Sequence, residues 1–337
     1  MIFVAETKDG ERIEYRDVKR YLWVLSLLPG LIPVGFYLGY LTTNQSVLWV
    51  LGPVAFIYGF VPLMDLILGE DPNNPPEEVV NALAEDRYYT RLLFVAVALS
   101  YVSFAVSVWF YATQNLPIWA MGLVAVSAGV ISGGALTVGH ELGHKPGRAE
   151  QWGAKLINGL SWYGHFTQEH NTGHHTEVAT PEDSASSRLN ESLYAFARRE
   201  TNDGLKRGWA VERRRLERRG YGFWNWRNEI LQSYAISFVI LGICLVLFGW
   251  IMIPFFLIHN VLSWHQLTMA NYVEHYGLKR ARRADGKYEP CRPIHSWNTN
   301  HIFSNLLLFH LQRHSDHHYK PDRRFPLLQN YTEADAP

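Results

Sequence analysis

Nine of the 15 histidines in this chain fall in four short strings. His140 and His144 lie in HELGH, and His170, His174 and His175 in EHNTGHH. His275 lies in NYVEHYG, and His314, His317 and His318 in LQRHSDHH. Imidazole is the commonest metal-binding side chain, and residues four apart share a helix face, so the longer strings can each aim two or three nitrogens at one point. His170/His174 and His314/His318 repeat the spacing of His140/His144, with His175 and His317 a fraction of a turn round. Taken alone, HELGH is also the zinc-protease pattern, two histidines on one zinc with Glu141 as the base that activates water. Nine imidazoles exceed what one zinc can use, so two ions with four or five nitrogens each are expected. Ligand type does not choose between zinc, copper, iron and nickel. Open positions for O2 or water, with no thiolate present, favour two redox-active iron ions over structural zinc.

Neutral ligands leave two divalent charges uncompensated. Glu141, Glu169, Glu274 and Asp316 each adjoin one of these histidines. A carboxylate that accepts the far ring N–H would fix the tautomer and offset charge, serving either its neighbour or another histidine. His165, His259, His265, His295, His301 and His310 lie outside the four strings and are expected to be structural.

Long apolar elements must position these strings. The net charge is zero, and mean hydropathy of −0.10 hides a partition between uncharged runs and charge-dense stretches. No basic excess points to nucleic acid. Six segments, near 21–41, 47–68, 91–112, 117–139, 233–251 and 253–273, approach the roughly 20 apolar residues that a bilayer crossing requires. The expected fold is an all-α membrane protein, six transmembrane helices with a cytoplasmic histidine-rich cap, forming one domain over 1–337. Its parts are a cytoplasmic N-terminus (1–20), helices one to four (21–139), a cytoplasmic region (140–230), helices five and six (231–273) and a cytoplasmic C-terminal region (274–337). The links TTNQS and TQNLP carry no charge, while lysines and arginines crowd the other side. The positive-inside rule then places both termini and every histidine string in the cytoplasm, in an inner-membrane protein. The first twenty residues carry no cleavable signal, and Cys244 and Cys291 form no CxxC.

Within the spans, Pro29, Pro33, Pro53 and Pro62 should kink or interrupt the first two helices. Gly129 and Gly133 form a small-xxx-small face, either for close helix packing or as a groove for a linear hydrocarbon leading to His140. Asp65 is an acid at a span end, a functional candidate or a cap for a neighbour.

HELGHK, EHNTGHH, NYVEHYG and LQRHSDHH, with the loop GEDPNNPPEE at 69–78, resemble the bacterial membrane alkane 1-monooxygenases over essentially the whole chain. The wider fatty-acid desaturase and hydroxylase group shares only loose HxxHH spacing. The resemblance implies a non-haem di-iron enzyme that inserts one oxygen atom from O2 into the terminal C–H of a linear alkane drawn from membrane lipid. By that family's pattern all nine histidines are iron ligands. It further implies electrons from rubredoxin, a small acidic protein whose iron sits on four cysteines. This sequence has no rubredoxin CxxC pairs, so the donor is expected to be a separate chain or an appended domain. An acidic donor should meet basic surface, for which Arg213, Arg214, Arg215, Arg280, Arg282 and Arg283 are the densest candidates.

Three other functions compete. A desaturase or hydroxylase of acyl chains, sterols or aromatic methyl groups would share the metal site and differ in product. An intramembrane zinc protease would need His140, Glu141 and His144 and make His314, His317 and His318 dispensable. A metal transporter would place its ligands at the bilayer midplane rather than its edge.

Overall fold

The computed structural model describes residues 2–7 and 9–331. Lys8 and the last part of the C-terminal region, 332–337, lie outside them. Five helical stretches among the described residues are long and apolar enough to cross a membrane. They are Leu22–Thr42, Val47–Leu68, Arg87–Thr113, Ile118–Gly143 and Glu229–Glu274.

Helix α1 (Leu28–Thr42) follows a 3-10 turn and carries Pro33 internally. The second stretch is broken, as its prolines dictate. A 3-10 turn and a short helix lead into a π-helical turn over Phe56–Phe60, then α2 (Val61–Leu68) with Pro62 in its first turn. Proline has no N–H to give to the preceding turn, and a wider turn accommodates the loss. Asp65 accepts the Ser304 amide at 2.9 Å and so caps a neighbouring helix. Helices α3 (Arg87–Thr113) and α4 (Ile118–Gly143) are single long rods.

The fifth and sixth expected spans form one apolar stretch of 46 residues. It breaks at a 3-10 turn, where Gly249 takes φ +75°, into α7 (Glu229–Phe248) and α8 (Met252–Glu274). Between α4 and α7 run α5 (Arg148–Leu160) and α6 (Leu193–Arg218), with two short helices, α9 (Ile302–Leu307) and α10 (His314–Tyr319), near the C-terminus. One element departs from the all-α expectation. Strands β1 (Ile2–Glu6) and β2 (Arg12–Arg16) pair antiparallel, Val4 opposite Glu14, and bury Phe3 against Val79 and Leu83.

Helices α4 and α8 fix the frame. A Cβ at Gly129 would sit 2.6 Å from the His259 carbonyl oxygen, and one at Gly133 2.8 Å from that of Ser263. Four residues along each helix, the same contact recurs. The two helices therefore run parallel and bring their C-terminal ends, with His140 and His275 just there, to one end of the molecule. Glycine is required at both positions for the backbones to come this close. Around that end pack Trp23, Tyr89, Leu136, Leu142 and Phe325. Tyr37, Phe110 and Phe255 fill a second core toward the other end.

Candidate metal centre

Each histidine string rides on an element whose end or turn faces the same space. His140 sits in the last turn of α4 and His144 caps it. His275 caps α8, and His314, His317 and His318 occupy α10. The second string departs from regular α geometry, since His170–His174 form a π-helical turn. In that wider turn residues five apart come onto one face. His170 therefore pairs with His175, their Nε2 atoms 3.0 Å apart, and His174 turns away. The i,i+4 match expected for His170/His174 is absent for this reason. It does hold for His314/His318, at 2.9 Å.

The nine histidines converge as two groups. His140, His144, His170, His175 and His317 form one, and His174, His275, His314 and His318 the other. Within each group one ring nitrogen from every residue lies within 4.8 Å of those of the others. His317 Nε2 lies 3.0 Å from His175, His174 3.1 Å from His318, and His314 3.2 Å from His275. The second and fourth strings serve both groups. None of the six histidines outside the strings enters either group. His165 meets the Tyr234 hydroxyl at 3.0 Å, and His259 bridges Ser132 and Asn260 at 2.9 Å each.

Contacts of this length suit a metal better than hydrogen bonds. A neutral imidazole Nε2 has one in-plane position, either a proton or a lone pair, yet His175 and His318 each present Nε2 to two neighbours. His140 and His144 hold buried Nε2 atoms with no hydrogen-bond partner at all. At a metal–nitrogen distance of about 2.1 Å, imidazoles at right angles put their nitrogens about 3.0 Å apart. The donor set therefore fits one imidazole-bound ion per group.

Electrostatics point the same way. Burial, with repulsion among neighbouring imidazoles, holds His144, His170, His175, His314, His317 and His318 well below the usual histidine range, and His275 at about 3. They are neutral and ready to bind. His174 differs. Burial pulls it down, but Asp183 more than restores it, with Oδ2 2.9 Å from Nδ1, itself fixed by Ser186 and the Ala185 amide. Asp183 was missed in the sequence. Its signal is the string DSASS, an acid followed by small polar residues that fold a tight turn, nine residues past His174.

Three of the four acids picked out by adjacency do other work. Glu141 pairs with Lys145 at 3.3 Å and accepts the Phe325 amide. Glu169 holds Arg207 at 3.0 Å. Asp316 holds Arg323 at 2.8 Å, the Gln329 amide and the Tyr331 hydroxyl, strapping the C-terminal segment beneath α10. Neighbours on a helix point about 100° apart, which is why adjacency to a histidine failed as a guide. Glu274 alone approaches a ring nitrogen of the groups, 3.3 Å from His314 Nε2, the nitrogen that faces the group. Arg313, 1% exposed, binds the carbonyls of Asn73, Asp71 and Leu328 and anchors the start of α10.

Two apolar cavities share a wall at this end, the larger reaching Glu274 beside His314. One of ≈160 Å³ lies among Ile57, Val61, Gly134, Thr137, Leu267 and Leu307. The other, of ≈290 Å³, is lined by Val273, Glu274, Trp297 and Leu311. Both have Ala270, Leu308 and Leu311 in their walls. Gly129 and Gly133 serve packing, Gly133 also lines the smaller cavity, and Gly134 opens onto it with nothing within 4 Å of a Cβ.

The basic candidates lie on two elements. On α6, Arg213 pairs with Glu217 and Arg215 with buried Glu212, while Arg214 is exposed. On the loop after α8, Arg280 donates to the Thr176 carbonyl at 2.7 Å, beside His175. Arg282 covers Tyr288 and Arg283 meets Asp285.

The fatty acid desaturase family model matches residues 117–337, which contain all nine histidines. An alkane 1-monooxygenase of Ectopseudomonas oleovorans is 46% identical over 94% of this chain and 79% of its own length. The chain belongs to the alkane 1-monooxygenase family. Alkane 1-monooxygenase 1 of Alcanivorax borkumensis is 45% identical over 96% of this chain and 80% of its own. The Acinetobacter baylyi alkane 1-monooxygenase is 37% identical over 94% and 78%. Family membership accounts for a multi-pass scaffold that ends in histidines.

Proposed function

We propose that this protein is a non-haem di-iron monooxygenase that hydroxylates the terminal carbon of linear medium-chain alkanes to 1-alkanols, using O2 and electrons from rubredoxin. The observation that carries it is the division of nine histidines into groups of five and four beside an apolar cavity, in a chain of this family. His140, His144, His170, His175 and His317 would hold one iron, and His174, His275, His314 and His318 the other, Glu274 adding negative charge beside His314. Bound there, the two irons supply the activation of O2 that breaks an unactivated C–H bond. The protein's own part is positional. The walls around Gly134, Leu308 and Leu311 exclude water and align an extended chain end-on, so that its last carbon, rather than an inner one, reaches the histidines. Asp183 holds the His174 ring in one tautomer.

In this proposal the stretch Glu229–Glu274 crosses twice, turning at Gly249, which gives six spans. The histidine end faces the cytoplasm of the inner membrane, where the lysines and arginines lie. Rubredoxin docks on the Arg280–Arg283 loop in preference to Arg213–Arg215. Arg280 touches the rim beside His175, whereas Arg213 and Arg215 are already paired on α6.

The test is metal analysis of purified protein beside product analysis on octane. About two irons per chain, and 1-octanol only with O2 and reduced rubredoxin both present, is the expected outcome. An alkene product would mean a desaturase. One zinc per chain that survives His317→Ala would mean a protease and end this proposal.

A further inference from the structure

One exposed surface takes no part in the reaction. It surrounds the start of α7, which Gln168 ties to the histidine end by donating to Glu229 at 2.6 Å. On the loop that joins α6 to α7, Trp224 is 83% exposed and Trp226 76%. The loop itself is well held. Asn228 accepts the Ile230 amide at 3.0 Å and donates to the Phe223 carbonyl at 3.2 Å, while Arg215 donates to the Arg227 carbonyl at 2.8 Å. A folded backbone therefore holds two large indoles outward, and such a patch marks a surface meant to be covered.

The length of α7 says what covers it. The helix has 20 residues and so rises about 30 Å, the thickness of a bilayer's hydrocarbon layer. Phe238, Val239, Ile243 and Val246 are exposed along it, and exposed Trp250 follows its far end. With that face in lipid, Trp224 and Trp226 fall at the depth of the headgroups, where indoles settle. Two cations border them. Lys155 Nζ donates to Gln232 Oε1 at 2.7 Å and lies 4.9 Å from the ring centre of Trp152, itself exposed. The same Gln232 donates to the Trp226 carbonyl at 2.8 Å, which joins the two sides of the surface. The Arg227 guanidinium lies 4.4 Å from the ring centre of Tyr221 and 5.0 Å from that of Trp226. The acids of this end are engaged elsewhere, since Arg215 holds both Glu212 and Glu229. Neither Lys155 nor Arg227 forms an ion pair among the described residues.

We propose that this surface binds the headgroup of an anionic phospholipid, its phosphodiester against Arg227 and Lys155 and its glycerol and upper acyl chains against Trp224, Trp226 and Trp152. A guanidinium offers paired N–H donors that match two phosphate oxygens, and an ammonium adds a point charge beside them. The aromatic rings beneath both cations hold them in place. A zwitterionic headgroup would bring its own ammonium toward the same two cations and gain less, so a net negative headgroup is preferred. A soluble acidic protein fits less well, because the indoles lie at headgroup depth and the bilayer reaches them first. The inference does not depend on which reaction the histidines serve.

Tryptophan quenching tests it. The full chain is reconstituted in phosphatidylcholine vesicles that contain a minor share of dibrominated phosphatidylglycerol or, in parallel, dibrominated phosphatidylcholine. Bromine quenches nearby indoles, so phosphatidylglycerol should quench more, and the excess should fade with salt. Trp224→Phe with Trp226→Phe should remove the excess, because the indoles that report it are gone. Lys155→Gln with Arg227→Gln keeps those indoles and should lower the relative affinity for phosphatidylglycerol about 10-fold, with the KM for reduced rubredoxin unchanged. Equal quenching by the two lipids in the wild type would overturn the proposal, as would an excess that survives both pairs of substitutions. A raised KM for rubredoxin in Lys155→Gln with Arg227→Gln, lipid preference intact, would also overturn it and make this surface a dock for the acidic protein.

Discussion

Asp183 Oδ2 lies 2.9 Å from Nδ1 of His174, and neither side chain is more than 1% exposed. The carboxylate fixes the tautomer that leaves Nε2 free for the group of His275, His314 and His318. Asp183→Asn should lower metal affinity at that group about 10–100-fold. Metal per chain after a graded chelator challenge should fall from about two ions toward one. Equal retention in wild type and variant would remove Asp183 from the site.

His317 and His318 are neighbours in sequence and belong to different groups. His317→Ala should therefore loosen one ion and His318→Ala the other, each abolishing octanol formation. Mössbauer spectra of the two iron-loaded variants should differ. Identical residual spectra would mean that the division into five and four is wrong.

Gly129 and Gly134 sit on one helix and predict opposite tolerance. A side chain at Gly129 meets the His259 carbonyl at 2.6 Å and Leu262 Cβ at 2.8 Å, so Gly129→Val should destabilise by about 1–3 kcal/mol. Gly134→Ala meets nothing and should melt as wild type does. Thermal melts of the detergent-solubilised proteins compare them, and similar losses would mean that α4 and α8 do not pack as described.

Charge reversal at Arg282 and Arg283 should raise the apparent KM for rubredoxin about 10-fold and flatten its salt dependence, because steering between opposite charges fades as ions screen it. Stopped-flow reduction at two ionic strengths reads both. Unchanged donor kinetics would move docking away from this loop.

Acid should weaken the metal-free fold in a defined direction. His144, His170, His175, His314, His317 and His318 are held below their usual 6.5, chiefly by burial. The unfolded chain takes up protons that the fold refuses, so their contribution is present above about 6.5 and is lost as pH falls beneath it. His174, raised by Asp183, contributes in the opposite sense but is one against six. The melting temperature should drop between pH 6.5 and 5, and metal should leave over the same window. A melting temperature that holds or rises on acidification would contradict the burial of these rings.

The histidine spacing made the two-ion donor set legible, because residue type and helical period suffice for that. It did not reveal which histidines share an ion. That depends on the π-helical turn at His170–His174, and nothing local in NTGH announces a wider turn. The acids were less legible still. Asp183 reaches His174 only because the loop folds back, whereas Glu141, Glu169 and Asp316 hold Lys145, Arg207 and Arg323, partners set by tertiary packing. The apolar runs marked the spans, and the boundary expected near 251–253 falls at the Gly249–Ile251 turn of one 46-residue stretch. The β1–β2 hairpin had a signal, Asp9-Gly10 between alternating apolar residues, in a stretch whose basic residues drew attention to charge instead.

Helix α10 gives His317 to one group and His314 and His318 to the other. Neither group can close, therefore, until residue 318 has left the ribosome and folded back against an α4 made 178 residues earlier. During synthesis the membrane receives a half-built cup, with His140 and His144 already in place and no partner for them. Metal capture must then wait for α10, and a nascent chain stalled before α10 should insert into the bilayer yet carry no tightly held metal.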